Sequence, residues 1–131
     1  MVQEKILVVD DDLPSGTVLK WAMEAMGHEV RLADSGEAAL DAIQSFIPDV
    51  VLCDINMPGI TGYEVCKRMK MDPHLRKTLF VAQTGLSTEE SKQLSIQAGF
   101  KYHLVKPIDI NGLLELVFFE KMAHLVVAST S

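Results

Sequence analysis

Residues 50–62, VVLCDINMPGITG, combine an apolar run, a single acid and a turn. Apolar residues 50–53 run directly into one carboxylate, Asp54, and a turn that contains Pro58, Gly59 and Gly62 follows at once. A short apolar run bounded by turn residues is typical of a strand that is buried on both faces. The sequence therefore predicts a buried strand that ends by presenting a single acid.

The same pattern recurs along the chain. Short apolar runs rich in β-branched residues lie at 6–9, 30–33, 50–53, 79–82 and 102–105. Helical segments separate them: Pro14 stands in the first turn of one helix and Gly27 at its end, Ser35 can cap the second, and Thr61 and Ser87 match the capping-box spacing before the third and fourth. Five strand–helix units in strict alternation predict a parallel sheet covered by helices on both faces.

Composition narrows the class of protein. The 131 residues are 48% hydrophobic, which fits one compact domain over residues 1–131, with its core at about 4–124 and a short C-terminal tail. A net charge of -6 argues against direct binding of nucleic acid. No apolar run is long enough for a bilayer, and Cys53 and Cys66 form no metal or redox motif. We therefore expect a cytoplasmic protein with both cysteines in its core.

Polar residues follow four of the five predicted strands. They are Asp10-Asp11-Asp12, Asp54 with Asn56, Gln83-Thr84-Gly85 and Lys106-Pro107. The carboxyl ends of parallel strands meet at one edge of a sheet, so these groups should surround one small space. Crowded carboxylates favour a hard divalent cation such as Mg²⁺. An arriving phosphoryl group would meet the metal, the Lys106 ammonium and the Thr84 hydroxyl, with Asp54 as the nucleophile.

Four motifs, in this order and spacing, resemble the receiver domain of two-component response regulators from Ile6 to about Val117. They are ILVVDDD, VVLCDINMPGITGYEV, VAQTG and AGFKYHLVKPID. The resemblance implies a flavodoxin-like (βα)5 fold with strand order 2-1-3-4-5. It also implies that Asp54 takes a phosphoryl group from a phosphohistidine of a histidine kinase or a histidine phosphotransfer domain. Such a domain is a signalling phosphoacceptor that catalyses only its own phosphorylation and dephosphorylation.

The resemblance also implies the metal ligands. Asp11 and Asp54 would give carboxylate oxygens to Mg²⁺, Asn56 its backbone carbonyl, and Asp10 would act through a metal-bound water. Asp12, which follows this acidic pair, is expected to start a helix and not to bind the ion.

Thr84 and Lys106 would take the phosphoryl oxygens by the same resemblance, and backbone N–H groups of Ile55, Asn56 and Gly85 would help. The family commonly has Tyr or Phe three residues before the lysine, a ring that moves inward together with the threonine. Here that position is His103, in a setting that resembles receivers of hybrid histidine kinases. His103 is either part of this switch with Thr84 or a solvated strand-edge residue, and the sequence leaves both readings open.

Two other functions deserve comparison with this one. ILVVDDD also resembles the nucleophile motif of Mg²⁺-dependent phosphatases of the haloacid-dehalogenase type, in which Asp10 and not Asp54 would be essential. That family needs a late acidic motif, and this chain has Lys106 and Pro107 in its place. A pseudo-receiver, which acts only as an interaction module, usually lacks one of the acids, the threonine or the lysine, and this chain has all of them. The sequence does not separate a stand-alone receiver from one domain of a larger kinase.

The last helix carries two apolar stripes at ideal helical spacing. Leu113, Leu114, Val117 and Phe118 should cover the sheet; Leu116, Phe119 and Ala123, with Met122 and Val126 beside them, form the second stripe; Glu120, Lys121 and His124 lie between the two. A solvent-facing helix does not normally carry a second apolar stripe. Either the end of the chain folds back on this stripe, or a neighbouring domain covers it, or a partner docks there. The resemblance to receivers favours the partner, a homodimer or an output protein at the surface formed by the fourth helix, fifth strand and fifth helix.

Overall fold

A computed structural model describes residues 3–85 and 88–130, without the side chains at 124 and 126–130. The strands are β1 (Lys5–Val9), β2 (Glu29–Ala33), β3 (Val50–Asp54), β4 (Leu79–Thr84) and β5 (Tyr102–Val105). The helices are α1 (Leu13–Ala25), α2 (Gly36–Ala42), α3 (Gly62–Lys70), α4 (Glu89–Ala98) and α5 (Ile110–Thr130), with a short 3-10 turn at Pro73–Leu75. In the part of the chain so described, none of these helices is long and apolar enough to cross a bilayer.

The strands form one parallel sheet in the order β2-β1-β3-β4-β5, which confirms the predicted architecture. Parallel neighbours need a crossover connection, and the helices supply it on both faces. α2, α3 and α4 pack on one face, and we call the apolar layer beneath them the α2–α4 core. α1 and α5 pack on the other face, over a second layer that we call the α1–α5 core.

Both cysteines lie in the α2–α4 core, as predicted. Each side chain is only 1% exposed. Burial raises the pKa of the Cys66 thiol to about 12 and raises that of Cys53 as well. Both therefore remain neutral and act as small apolar residues.

Side-chain caps fix where the helices begin. The hydroxyls of Ser35 and Thr61 each accept a hydrogen bond from the N–H three residues on, at 3.0 and 3.3 Å, as the sequence predicted. The fourth cap is one residue later than expected from the motif. Thr88 forms a capping box with Ser91 at 3.1 and 3.2 Å, and Ser87 lies outside the described residues.

α5 is rotated relative to the prediction. Leu113 and Val117 are buried against the sheet as expected, and Leu114 packs at the edge of the same α1–α5 core. Phe118 was predicted to cover the sheet, but it is 57% exposed, whereas Leu116 from the second stripe packs on the core. Successive helical residues are rotated by about 100° around the helix axis. Because the middle of the buried face lies between Leu113 and Val117, Phe118 points away from the sheet.

Charged residues decide this rotation. The Glu120 carboxylate accepts hydrogen bonds from the Tyr102 hydroxyl and from the Lys101 ammonium, whose Nζ lies 2.9 Å from Oε1. One residue further, Lys121 Nζ lies 3.9 Å from Oε2 of Glu4. The lower half of α5 is thus held to β5 and to the start of β1 by polar side chains.

Glu4 is a buried acid at the edge of the sheet opposite the predicted site. Its side chain sits beside Asp49, and among the described residues its Oε2 has no hydrogen-bond partner. Burial raises the pKa of Glu4 to about 7, the neighbouring Asp49 adds to the rise, and the Lys121 charge opposes it.

This geometry predicts a pH-dependent stability. An acid whose pKa rises from 4.5 to about 7 on folding stabilises the fold fully below 4.5, and that contribution is lost as the pH rises through about 7. Glu4→Gln removes the titration, so it should raise the melting temperature relative to the native protein at pH 8 and change it much less at pH 5. Glu115→Gln, at an exposed position on α5, is the control and should show no such trend. An equal effect of Glu4→Gln at both pH values would contradict the assignment.

Candidate functional site

Three carboxylates meet where β1 and β3 end. The two strands are neighbours with Val9 beside Cys53, so the following residues, Asp10 and Asp54, also lie side by side. One carboxylate oxygen from each of Asp10, Asp11 and Asp54 lies within 4.8 Å of the others. Asp10 is fully buried and Asp54 is 5% exposed, while Asp11 faces solvent. The structure thus brings the predicted acids together at one edge of the sheet.

Lys106 reaches this cluster from the end of β5. Its ammonium donates a hydrogen bond to Asp54 Oδ2 at 3.0 Å and lies 3.7 Å from Asp10 Oδ2. Its backbone N–H donates to the Thr84 carbonyl at 2.8 Å, which fixes the loop from which the side chain starts. Burial alone would lower the pKa of Lys106, but the hydrogen bond and charge of Asp54 together with the Asp10 charge outweigh it and raise that pKa. The lysine therefore remains a cation between two acids.

Burial and hydrogen bonding act in opposite directions on Asp54. Burial raises the pKa of its carboxyl, and the Lys106 ammonium and the Asn56 N–H, which donates to Oδ1 at 3.3 Å, work against that rise. An anionic oxygen in a water-poor setting is a better nucleophile than one in bulk water, provided that nearby donors keep it ionised.

Gly62 is the residue that lets α3 begin against the end of β3. A Cβ atom at this position would lie 2.2 Å from the Asp54 carbonyl oxygen, a distance that no side chain can occupy. The Gly62 N–H donates to the Ile55 carbonyl at 2.9 Å and closes the loop. This explains the second glycine of the opening motif.

The donor set fits a hard divalent cation. Carboxylate oxygens from three residues converge, and one of them, Oδ2 of Asp10, is buried with no hydrogen-bond partner in the described part of the chain. The single nearby ammonium offsets only part of the negative charge. Oxygen ligands of this kind are those that Mg²⁺ binds, and it retains several waters. The exposed Asp11 and the loop that carries Asn56 lie on the solvent side, where such waters fit.

Thr84 ends β4 at the same edge of the sheet and is 1% exposed. Gly85 follows it at the surface. The N–H of Ile55, one of the predicted helpers, donates to the Gln83 carbonyl at 3.0 Å and so extends the pairing of the sheet. The pairing of β3 with β4 continues one residue beyond the strand end, which a motif cannot reveal.

His103 faces α4. Its Nδ1 lies 2.8 Å from the hydroxyl oxygen of Ser95, which is 1% exposed and belongs to that helix. The neighbouring Tyr102 points the other way, where its hydroxyl donates to Glu120 of α5. β5 is thus tied to a helix on each side, and Ser95 is a partner that no sequence motif indicated.

Gln83 is a second residue that the motifs left without a role. It pairs with Asp54 in the sheet register, its side chain is fully buried, and it lines a groove of about 590 Å³ that it shares with Lys106. The polar sequence Gln83-Thr84 at the end of an apolar strand was the only available signal.

Comparison with known proteins agrees with this geometry. A family model described as response regulator receiver domain matches residues 6–118. Sporulation initiation phosphotransferase F of Bacillus subtilis is 36% identical over 119 residues, which cover 89% of this chain and 93% of that protein. Virulence sensor protein BvgS of Bordetella pertussis is also 36% identical, over 117 residues that cover 86% of this chain and 10% of that much longer protein.

Solved structures show the same fold. The chemotaxis protein CheY4 of Vibrio cholerae superposes with a TM-score of 0.84 at 31% identity, covering 88% of this chain and 97% of that one. A CheY-like receiver domain protein of Methanospirillum hungatei gives 0.82 at 28% identity, covering 91% and 94%. These structures confirm the predicted flavodoxin-like architecture.

Proposed function

Because this chain belongs to the response regulator receiver domain family, the phosphoacceptor modules of two-component signalling, we propose that Asp54 is its phosphoacceptor. One observation carries the proposal: a buried carboxylate at a strand end receives a lysine ammonium at 3.0 Å and lies within 4.8 Å of two further acids. An Asp54 oxygen would bond to phosphorus as the bond from phosphorus to the donor's imidazole nitrogen breaks. The product is an acyl phosphate.

Lys106 and Thr84 are assigned to the phosphoryl oxygens. The ammonium already lies at the acceptor carboxylate, so a short movement would transfer its hydrogen bond to the new phosphoryl group. Backbone N–H groups of Asn56 and Gly85 at the same edge are the remaining donors assigned to this group. The same residues would catalyse the return reaction, in which water attacks phosphorus and frees Asp54. The domain therefore acts on itself and on no separate substrate.

Mg²⁺ is the proposed cofactor of this site. Asp11 and Asp54 would hold it through carboxylate oxygens, Asn56 through its backbone carbonyl, and Asp10 through a bound water. When bound, the ion supplies the positive charge that offsets the phosphoryl oxygens. The protein's own part is to keep the three acids at the distances described above.

His103 and Thr84 are the proposed switch. The contact of His103 with Ser95 joins β5 to α4. Thr84 ends β4, which lies in the sheet between β5 and the strand that carries Asp54. A change at the acceptor that displaces Thr84 would then reach α4 through β5. The proposed donor is a histidine kinase or a histidine phosphotransfer domain in the cytoplasm, and the whole chain is proposed to act as one receiver domain.

Phosphorylation of Asp54 can be tested with a small phosphodonor. With Mg²⁺ and acetyl phosphate labelled with ³²P, the native chain should take up label that survives acid and is lost in alkali. Asp54→Asn keeps the shape and removes the nucleophile, so it should take up none. Asp49→Asn, an acid at the opposite edge of the sheet, is the control and should label normally. Label that persists on Asp54→Asn would refute the assignment, and loss of label only with Asp10→Asn would favour a haloacid-dehalogenase-like phosphatase.

Mg²⁺ should stabilise the fold. The ion removes repulsion that exists only when the acids are assembled, so at roughly 100 times its dissociation constant it should raise the melting temperature by about 5–10 °C. Asp11→Ala should lose most of this increment and can melt higher than the native chain in the absence of the ion. Asp12→Ala, which removes an acid outside the cluster, should retain it. A native protein that shows no response to millimolar Mg²⁺ would contradict the metal site.

We further propose that α5 presents a dimer surface to a second copy of the chain. Phe118, Phe119, Met122 and Leu125 are exposed on it, and together they cover a stripe about 120° wide. A continuous apolar stripe on one helix is self-complementary about a twofold axis, which suits a homodimer. Val105 of β5 is 41% exposed and Ile96 of α4 is 62% exposed as well.

This surface can be tested by sedimentation. The double variant Phe118→Ser and Phe119→Ser should keep its circular dichroism and melting temperature, because both rings are exposed, and should weaken self-association at every concentration measured. Trp21→Ser, an exposed aromatic on α1, is the control and should not change the association. A native protein that remains monomeric throughout would exclude the homodimer and favour an output partner at this surface.

A further inference from the structure

Gln83 is a buried amide that the proposed function leaves unused. Its side chain is 0% exposed, and neither its Oε1 nor its Nε2 has a hydrogen-bond partner among residues 3–85 and 88–130. A buried amide without partners lowers stability, because it has given up its hydrogen bonds to water. Buried polar groups of this kind usually carry a role that compensates for the loss.

The sheet places Gln83 in line with the acids. Residues two positions earlier, Val8 of β1, Leu52 of β3 and Val81 of β4, all belong to the α1–α5 core. Side chains alternate along a strand, so Asp10, Asp54 and Gln83 face this same layer, side by side. These three form a polar row above an apolar one.

The remaining neighbours of Gln83 line a groove between α1 and the β5–α5 loop. Lys106 and Ser15 form its polar rim, and its walls are Pro14, Val18, Leu19, Pro107, Ile108 and Ile110. The groove holds about 590 Å³, while the amide of Gln83 itself is closed off from water. In the described part of the chain, the charged side chain that lines this groove is Lys106. Of the two polar side chains that line the groove with Gln83, Lys106 is the one that contacts Asp54, so the lysine is the partner that can link the amide to the site.

We propose that Gln83 is a positioning residue for phosphoryl transfer to Asp54, whose carboxamide accepts a hydrogen bond from the Lys106 ammonium when that ammonium moves from Asp54 to the incoming phosphoryl group. The ammonium has three donors, and in the structure one of them serves Asp54. Oε1 of Gln83 can accept a second, and being uncharged it does not compete with the phosphoryl oxygens as a carboxylate would. The inference rests on the proposed roles of Asp54 and Lys106.

A neutral amide suits position 83 better than a carboxylate or an apolar side chain. A carboxylate at position 83 would add a further negative charge beside Asp10 and Asp54, and would repel the phosphoryl group. An apolar side chain would pack better, but it would leave the ammonium guided by carboxylates alone. The proposed role thus accounts for a buried amide that lowers the stability of the fold: it positions the Lys106 ammonium.

The test compares Gln83→Met, which has similar length and no hydrogen-bonding amide, with the native chain. Phosphorylation by acetyl phosphate is followed at saturating Mg²⁺ over a series of donor concentrations. Gln83→Met should need roughly ten to a hundred times more acetyl phosphate for half-maximal rate, the effect of losing one hydrogen bond to a charged group. It should also melt at a higher temperature, because an unpaired buried amide is gone. Gln44→Met, the same change at an exposed position, should alter neither quantity.

Two further variants separate positioning from packing. Gln83→Asn keeps a shorter amide that water can bridge, so it should recover part of the lost donor affinity. In a Lys106→Ala background, Gln83→Met should cause no additional loss, because the residue acts through the lysine. Native donor kinetics for Gln83→Met, or an equal loss in both backgrounds, would overturn the inference. Either result would leave labelling at Asp54 intact, whereas label on Asp54→Asn would refute the proposed function itself.

Discussion

Repulsion between the Asp10 and Asp54 carboxylates opposes the close approach of the ends of β1 and β3. Both carboxylates have been removed from most of the solvent, and one ammonium stands between them. Such a buried charged group adds little stability of its own, because desolvation offsets its attraction. The apolar layers on the two faces of the sheet therefore have to supply the stability that keeps the acids in place. Three carboxylates and one ammonium leave two negative charges at the site, which a single divalent cation would balance.

The last two residues of β4 face opposite sides of the sheet. Alternation sends Gln83 toward α1 and α5, and the next residue, Thr84, toward the layer of α2, α3 and α4. On that second side His103 contacts Ser95, and on the first side Tyr102 contacts α5. The ends of β4 and β5 are thus connected to both helical layers, so a displacement of these strand ends can reach either layer.

The sequence was sufficient for the strands and for the edge at which the site lies, because apolar runs and the polar residues that follow them are local signals. Asp10, Asp11, Asp54 and Lys106 were found together for that reason. The rotation of α5 was missed because faces were assigned from apolar residues alone. Glu120 and Lys121 turn toward the sheet through ion pairs with residues far away in the chain.

Contacts made only after folding account for the other differences. Ser95 meets His103 because α4 lies over β5, and the Ile55 N–H is taken by β4 because strand pairing runs one residue past β3. The cap of α4 moved by one position because the hydroxyl of Ser91 completes the box from Thr88. Each of these outcomes was decided by a neighbour in space that spacing along the chain does not identify.

The close approach of Gly62 to the Asp54 carbonyl has a mechanical consequence. Side chains normally separate a helix from the strand it follows, and here a Cβ atom at position 62 would lie only 2.2 Å from the Asp54 carbonyl oxygen, which leaves no room for one. Backbone meets backbone, and the bond from the Gly62 N–H to the Ile55 carbonyl locks the two together. The first turn of α3 and the last residue of β3 are therefore joined directly through backbone atoms. A displacement of Asp54 would pass to the start of α3 without being absorbed by side chains between them.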